Sequence, residues 1–163
     1  MSLDDVNVEI INDNKSIRQL VESGVLLDDE HTCFYGFHSL FEIVWSIIND
    51  SIIYNVTVGG KQIGIIMVSN FKELEDEVEI GMCIGKDYRG KGIGYYLLDL
   101  VIKDCFLNNA KAVHALVRSD NNASLKLCYK LNFKKYDDDN VEDFCYRNKK
   151  IKQNHFVIKK ENQ

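Results

Sequence analysis

Apolar and polar residues alternate over residues 6–11, the pattern of a half-buried first strand. Asn12-Asp13-Asn14 then offers N-caps for a helix over about 15–23, with Ile17, Leu20 and Val21 on one face and Gly24 at its end. Residues 27–37 are mixed and irregular. Their acidic triplet Asp28-Asp29-Glu30 reads either as a solvated turn or as a lip that attracts an amine. Phe41, Val44, Trp45 and Ile48 recur at i, i+3, i+4 and i+7, which predicts a second helix over 37–49. That stripe suits either a core or the lining of an acceptor pocket. Two β-branched runs, 52–58 and 62–69, flank Gly59-Gly60 and predict a hairpin.

The charged stretch 71–77 is expected to be a solvated connection into a strand over 78–84. A glycine-rich turn follows, then a helix over about 91–107 with Gly94, Leu97, Leu98, Val101 and Cys105 along one face. Beyond it come a strand at 112–117, a short helix from Asn121 or Asn122 to Leu131 and a strand at 133–136. After the polar break 137–140, strands at 144–146 and 155–158 are expected, joined through the basic turn Arg147-Asn148-Lys149-Lys150. The order β-α-α-β-β-β-α-β-α-β-β, with an antiparallel hairpin region before a β-α-β-α region, is α/β with a mixed sheet.

The glycine turn carries the first chemical signal. Backbone N–H groups around Arg89-Gly90-Lys91-Gly92-Ile93-Gly94 can converge on an anion at the helix N-terminus, where the dipole favours negative charge. Arg89 and Lys91 add cations at the same point. A P-loop would need Ser or Thr after Lys91, and Gly92 stands there instead. A dinucleotide fingerprint would need glycine where the ring of Tyr95 sits. The pattern [QR]-x-x-G-x-[GA] is met in full by Arg89, Gly92 and Gly94.

Composition narrows the setting. A chain of 163 residues with 45% apolar positions is expected to form a single domain with a real core. No apolar run reaches the length of a membrane span and no signal-peptide pattern is present, so no membrane association is expected. Five cysteines without a C-x-x-C pair suggest reduced thiols in a cytoplasm rather than a zinc site or a disulfide frame. His31 and His38 have no partner at metal-ligand spacing, so no metal is expected. A net charge of −5 argues against nucleic acid and suits a cationic acceptor. His114, within a strand, reads as a packed or surface histidine rather than a base. No G-x-S-x-G elbow and no Cys/His nucleophile motif is present.

A second motif lies downstream. The pattern N-x-x-[SA]-x-x-x-Y-x-K-x-G-F is met at Asn121, Ser124, Lys130 and Phe133, with Cys128 at the Tyr position and Asn132 at the Gly position. Together with the glycine turn and the element order, it makes the chain resemble the GNAT (Gcn5-related N-acetyltransferase) family. The resemblance implies a GNAT-like, mostly antiparallel twisted sheet flanked by helices. It implies acetyl-CoA as co-substrate, with its pantetheine arm paired to the backbone of Met82, Cys83 and Ile84. The turn Arg89, Gly90, Lys91, Gly92, Ile93, Gly94 and Tyr95 would hold the pyrophosphate, and Asn121 and Ser124 would bind near the arm.

The implied reaction is attack of a primary amine on the thioester, the acceptor being a small amine or polyamine or a protein N-terminus. An ammonium cannot attack, so a base must take its proton. Glu79 is the candidate base; its alternative reading is an exposed strand carboxylate. The proton donor to the leaving thiolate stays open between Cys128, Tyr129 and solvent, and Cys128 also reads as a small buried hydrophobe. Helical spacing puts Ser124, Leu127, Cys128 and Leu131 in one stripe and rotates Tyr129 away by about 100°. A homodimer is compatible with the chain, and a non-catalytic acyl-CoA sensor on the same fold is the alternative to an enzyme.

Overall fold

A computed structural model describes residues 3–11, 13–22, 51–72, 74–136, 141, 143–146 and 149–160. The second expected helix, the acidic triplet, His31, His38 and the polar break at 137–140 lie outside them.

The elements follow the hydrophobic pattern closely. Strand β1 is Val6–Ile11 and helix α1 is Asn14–Glu22. Asp13 starts α1 by accepting the Ser16 N–H at 2.8 Å, so the expected cap comes from the middle of Asn12-Asp13-Asn14. Strands β2, Ser51–Val58, and β3, Lys61–Phe71, form the expected hairpin across Gly59-Gly60. Strand β4 is Leu74–Ile84, helix α2 is Ile93–Leu107, strand β5 is Ala112–Arg118 and helix α3 is Asn122–Lys130. Four short strands follow: β6, Lys134–Tyr136; β7, Phe144–Tyr146; β8, Lys149–Ile151; and β9, Gln153–Lys159.

The strand order is β1-β2-β3-β4-β5-β9-β6, with β7 and β8 as a separate two-stranded sheet. β4 and β5 pair in parallel, whereas β1–β2, β2–β3, β5–β9 and β6–β9 pair antiparallel. This is the mixed, mostly antiparallel α/β sheet expected.

Two local expectations need correction. The charged stretch 71–77 is not a long loop. Lys72 turns the chain at φ 48° and β4 has begun by Leu74. Acidic side chains do not bar a strand when one edge or face meets water, and Asp76 pairs there with Lys111. The basic turn at 147–150 is also partly strand, because Lys149 and Lys150 pair with Tyr146 and Cys145. β7 therefore pairs with β8, not with β9.

The chain divides into two compact units, Met1–Ser69 with Gly81–Tyr96, and Asn70–Ile80 with Leu97–Gln163. In the first, Ile17 and Leu20 of α1 pack with Ile11, Ile53, Ile65 and Cys83. Gly64 is required there, since a Cβ would collide with the Cys83 carbonyl and Ile84. In the second, β5 turns Val113, Ala115 and Val117 to the face that bears Phe156, and the ring of Tyr129 from α3 meets Phe156 edge-on at 5.3 Å. His114 and His155 lie on the opposite face of the same strands.

Candidate functional site

The site is built first on the glycine turn. Gly85 closes β4 by donating its N–H to the Ile63 carbonyl at 2.8 Å, and the chain winds through one short 3-10 turn, Lys86–Tyr88. Gly90 and Gly92 then take φ of 72° and 82°, values that an L side chain adopts only under strain. Nothing lies within 4 Å of where their Cβ atoms would be, so the outer side of the turn is open. Helix α2 begins at Ile93, and the Tyr96 N–H is already bonded to the Gly92 carbonyl. The N–H groups of a first helical turn have no acceptor in their own helix.

Both cations are placed by the turn itself. Arg89 donates Nε–H to the Ile84 carbonyl at 2.6 Å. Lys91 donates from Nζ to the Asp87 carbonyl at 2.6 Å and stands 5.6 Å from the centre of the Tyr88 ring. Open space, first-turn N–H groups without an acceptor in their own helix and two positive charges fit a phosphate ester. Met82, Cys83 and Ile84 form the strand end that feeds the turn; Cys83 and Ile84 are buried and Met82 is half-buried.

Glu79 lies on the same strand, in the second unit. The β4–β5 ladder runs over Glu77–Ala112, Val78–Val113 and Glu79–His114, which makes Glu79 its last paired residue on β4. Its carboxyl is half-buried, and desolvation raises its pKa above the ordinary glutamate value.

The α3 region brings together two of the expected binding residues. Asn121 is the N-cap of α3, and its side-chain oxygen accepts the Ser124 N–H at 3.2 Å. The stripe on α3 is as its spacing implies. Cys128 and Leu131 are buried, Ser124 and Leu127 half-buried, and Tyr129 is 58% exposed. Burial pushes the Cys128 thiol up to about 11, so it stays protonated at neutral pH. Asn132, at φ 64°, holds the left-handed position that glycine fills in the motif, and the Phe133 N–H closes the helix on the Cys128 carbonyl at 3.0 Å.

The Acetyltransferase (GNAT) family matches residues 24–133, two thirds of the chain. The protein belongs to the GNAT acetyltransferase family. No curated protein matches the sequence. Solved structures of the same fold include yncA of Salmonella typhimurium with its cofactor acetyl-CoA, at TM-score 0.76 and 13% identity over 98% of this chain and 96% of that one. The ribosomal-protein-S18-alanine N-acetyltransferase of Escherichia coli superposes at TM-score 0.73 with 14% identity over 94% and 93%. A point mutant of the spermidine N-acetyltransferase SpeG of Vibrio cholerae superposes at 0.74 with 14% identity over 96% and 94%.

The structure of this GNAT chain also contains a polar cluster that pattern reading missed. His114 is buried, with Nε2 at 2.7 Å from Glu77 Oε2 and Nδ1 at 2.8 Å from His155 Nε2. In the sequence Glu77 is only the last residue of the charged stretch 71–77, and His155 part of a short strand. Strands 41 residues apart bring the two imidazoles together, and no local motif marks such a meeting. Among the described residues, no group of three or more His, Cys, Asp and Glu side chains is placed to hold a metal, and no helix is long and apolar enough to cross a membrane.

Proposed function

We propose that this GNAT chain is, over its whole length, a single catalytic domain that transfers the acetyl group of acetyl-CoA to a primary amine, with Glu79 as the base. The observation that carries the reading is the place of Glu79. It is half-buried, its pKa is raised, and it ends the β4–β5 ladder three residues before Met82. A carboxylate with a raised pKa is a stronger base than an ordinary one.

Acetyl-CoA supplies the activated acyl thioester. The protein's own groups do the rest. Gly90, Gly92, Ile93 and Gly94 offer backbone N–H groups to the pyrophosphate, with Arg89 and Lys91 as counter-charges and Tyr95 beside them. Met82, Cys83 and Ile84 offer strand backbone to the pantetheine arm. Asn121 and Ser124 bind near that arm through the α3 cap. Glu79 takes the ammonium proton so that the amine lone pair can attack. The donor to the leaving thiolate is Cys128, a thiol held protonated, or Tyr129 or solvent.

The acceptor is a small cationic amine, such as a polyamine, or a protein N-terminus. The net charge of −5 favours the cationic class. The test is acetyl transfer measured over a panel of polyamines, aryl amines and N-terminal peptides. Turnover of at least one class is expected, and acetyl-CoA binding without turnover of any would leave the sensor reading in place. That second reading rests on one observation, the buried thiol of Cys128 where the motif has a tyrosine.

A further inference from the structure

Strand β4 carries Glu77 and Glu79 on one face, because residues two apart in a strand share a side. His114 of β5 stands directly opposite Glu79 on that face. Opposed residues on neighbouring strands are about 4.8 Å apart, and diagonal ones about 7–8 Å. A buried imidazole is expected to bond the carboxylate that faces it. His114 bonds the diagonal one instead, with Nε2 at 2.7 Å from Glu77 Oε2. Among the described residues, Glu79 makes no hydrogen bond or ion pair, and burial alone shifts its pKa.

The ring of His114 is fixed on every side that could turn it. A carboxylate only accepts, so its hydrogen sits on Nε2. The Nδ1 lone pair then accepts from His155 Nε2–H at 2.8 Å. Phe71 stacks on the ring face at 3.8 Å between centres and 6° between planes. Both nitrogens are thus engaged, and neither is left to bond Glu79. The charges facing His114 are Glu77 and Glu79 on β4, Lys72 just past β3 and Lys159 on β9. His155, also on β9, is the titratable group bonded to it, and Tyr136 on β6 lies against His155. Lys72 and Lys159 both disfavour a proton on the ring.

We propose that Glu77 is a positioning residue for acetyl transfer: it holds the His114 imidazole so that the Glu79 carboxylate opposite that ring stays free for the acceptor amine. The proposal rests on the acetyltransferase reading with Glu79 as base. A carboxylate bonded to an imidazole donor is a weaker base, because the bond stabilises its ionised form, and an imidazolium beside it does so more strongly. Such a bond also occupies the lone pair that must meet the ammonium. Glu77 prevents both by taking the imidazole hydrogen itself. It acts on the amine only through His114 and Glu79, so it touches no reacting atom.

The test compares Glu77→Leu, Glu77→Gln and the double variant Glu77→Leu/His114→Phe in pH profiles of transfer at saturating acetyl-CoA. The Glu77 side chain is 30% exposed, so leucine fits there without opening a cavity. Leucine accepts no hydrogen bond, which leaves the His114 Nε2–H to Glu79. There kcat is expected to fall about tenfold, and the acid limb of kcat/KM to move down by about one pH unit. Glu77→Gln, whose amide oxygen still accepts that hydrogen, should rescue turnover and limb together. In the double variant no donor remains to capture Glu79, and a ring still stacks on Phe71, so most of the loss should be recovered. That recovery, with leucine still at 77, excludes a folding defect as its cause. Unchanged kinetics in Glu77→Leu, or a double variant or Glu77→Gln as slow as Glu77→Leu, overturns the proposal. Nitrogen-15 spectra of the wild type need no variant: hydrogen on His114 Nδ1 instead of Nε2 also overturns it. Carbon-13 titration of the Glu79 carboxyl reads the same capture without turnover, as a lower midpoint in Glu77→Leu that the double variant reverses, and a midpoint that stays put overturns it too. Absence of transfer by the wild type, with those midpoints as expected, sinks the acetyltransferase reading instead.

Discussion

Glu79 and His114 face each other as Cα partners on the last rung of the parallel ladder between β4 and β5. Ladder partners point to the same side of a sheet, so a carboxyl with a raised pKa and an imidazole with a lowered one share one face. In both cases desolvation is the main cause, and it favours the uncharged form of each.

The consequence for Glu79 is kinetic. Glu79→Gln keeps the shape and removes the base, so kcat is expected to fall by roughly 10²–10⁴ with acetyl-CoA affinity nearly unchanged. In the wild type only the ionised carboxylate can take the amine's proton. The kcat/KM profile should therefore rise with pH through a value above that of an ordinary glutamate, and this limb should be missing in the variant. Steady-state kinetics beside calorimetric titration with acetyl-CoA checks both. Unchanged turnover across pH removes Glu79 from the role.

The consequence for His114 is thermodynamic. Its folded pKa lies below the ordinary histidine value, although the hydrogen bond to Glu77 pulls the other way. Between the two values the unfolded chain binds more protons than the folded one. The stability that His114 contributes is thus fully present above about pH 6.5, the unfolded value. It is lost as pH falls towards the folded pKa. Urea midpoints measured from pH 8 down to pH 5 should decline more steeply in the wild type than in His114→Phe, which has no proton to bind there. Parallel declines would show that this imidazole is not held neutral.

Most of the fold is legible in the sequence because its elements are amphipathic. The period-two run of β1, the capped stripe of α1 and the Gly59-Gly60 hairpin each carry their own signal. The edges of β4 and β8 are not, since Glu75, Asp76 and Lys149 read as polar connection until a partner strand is known. The site divides the same way. Arg89 to Gly94 is a contiguous turn whose backbone demands are written in its glycines. Glu77, His114 and His155 are single residues on separate strands, and only the register that pairs Leu116 with His155 brings them together. A buried ionisable cluster of this kind is a tertiary fact with no local pattern.

The thiols offer a test of packing. Cys83, Cys105 and Cys128 are buried, and desolvation pushes Cys105 and Cys128 up to about 11. At pH 8 only about one in a thousand of such groups is thiolate, the reactive form. Cys105 and Cys128 are expected to resist Ellman's reagent in the native protein and to react fully in guanidinium. Cys128→Ser should therefore not change the native reaction count. Rapid native labelling of Cys128, identified by peptide mass, would show that α3 exposes it.

The glycine turn allows a matched comparison. Gly92→Arg puts a side chain on a residue at φ 82°, which costs roughly 1–2 kcal/mol of backbone strain, and it fills the open space where the pyrophosphate is proposed to sit. Gly60→Arg places the same side chain at φ 76°, also with nothing within 4 Å, but in the β2–β3 hairpin. The two variants should lose similar thermal stability. Only Gly92→Arg should lose acetyl-CoA affinity, by tenfold or more, since about 1.4 kcal/mol of lost contact already gives that factor. Calorimetric titration of both variants separates strain from site: equal affinity in the two would mean that the turn does not hold the pyrophosphate, whatever the melting curves show.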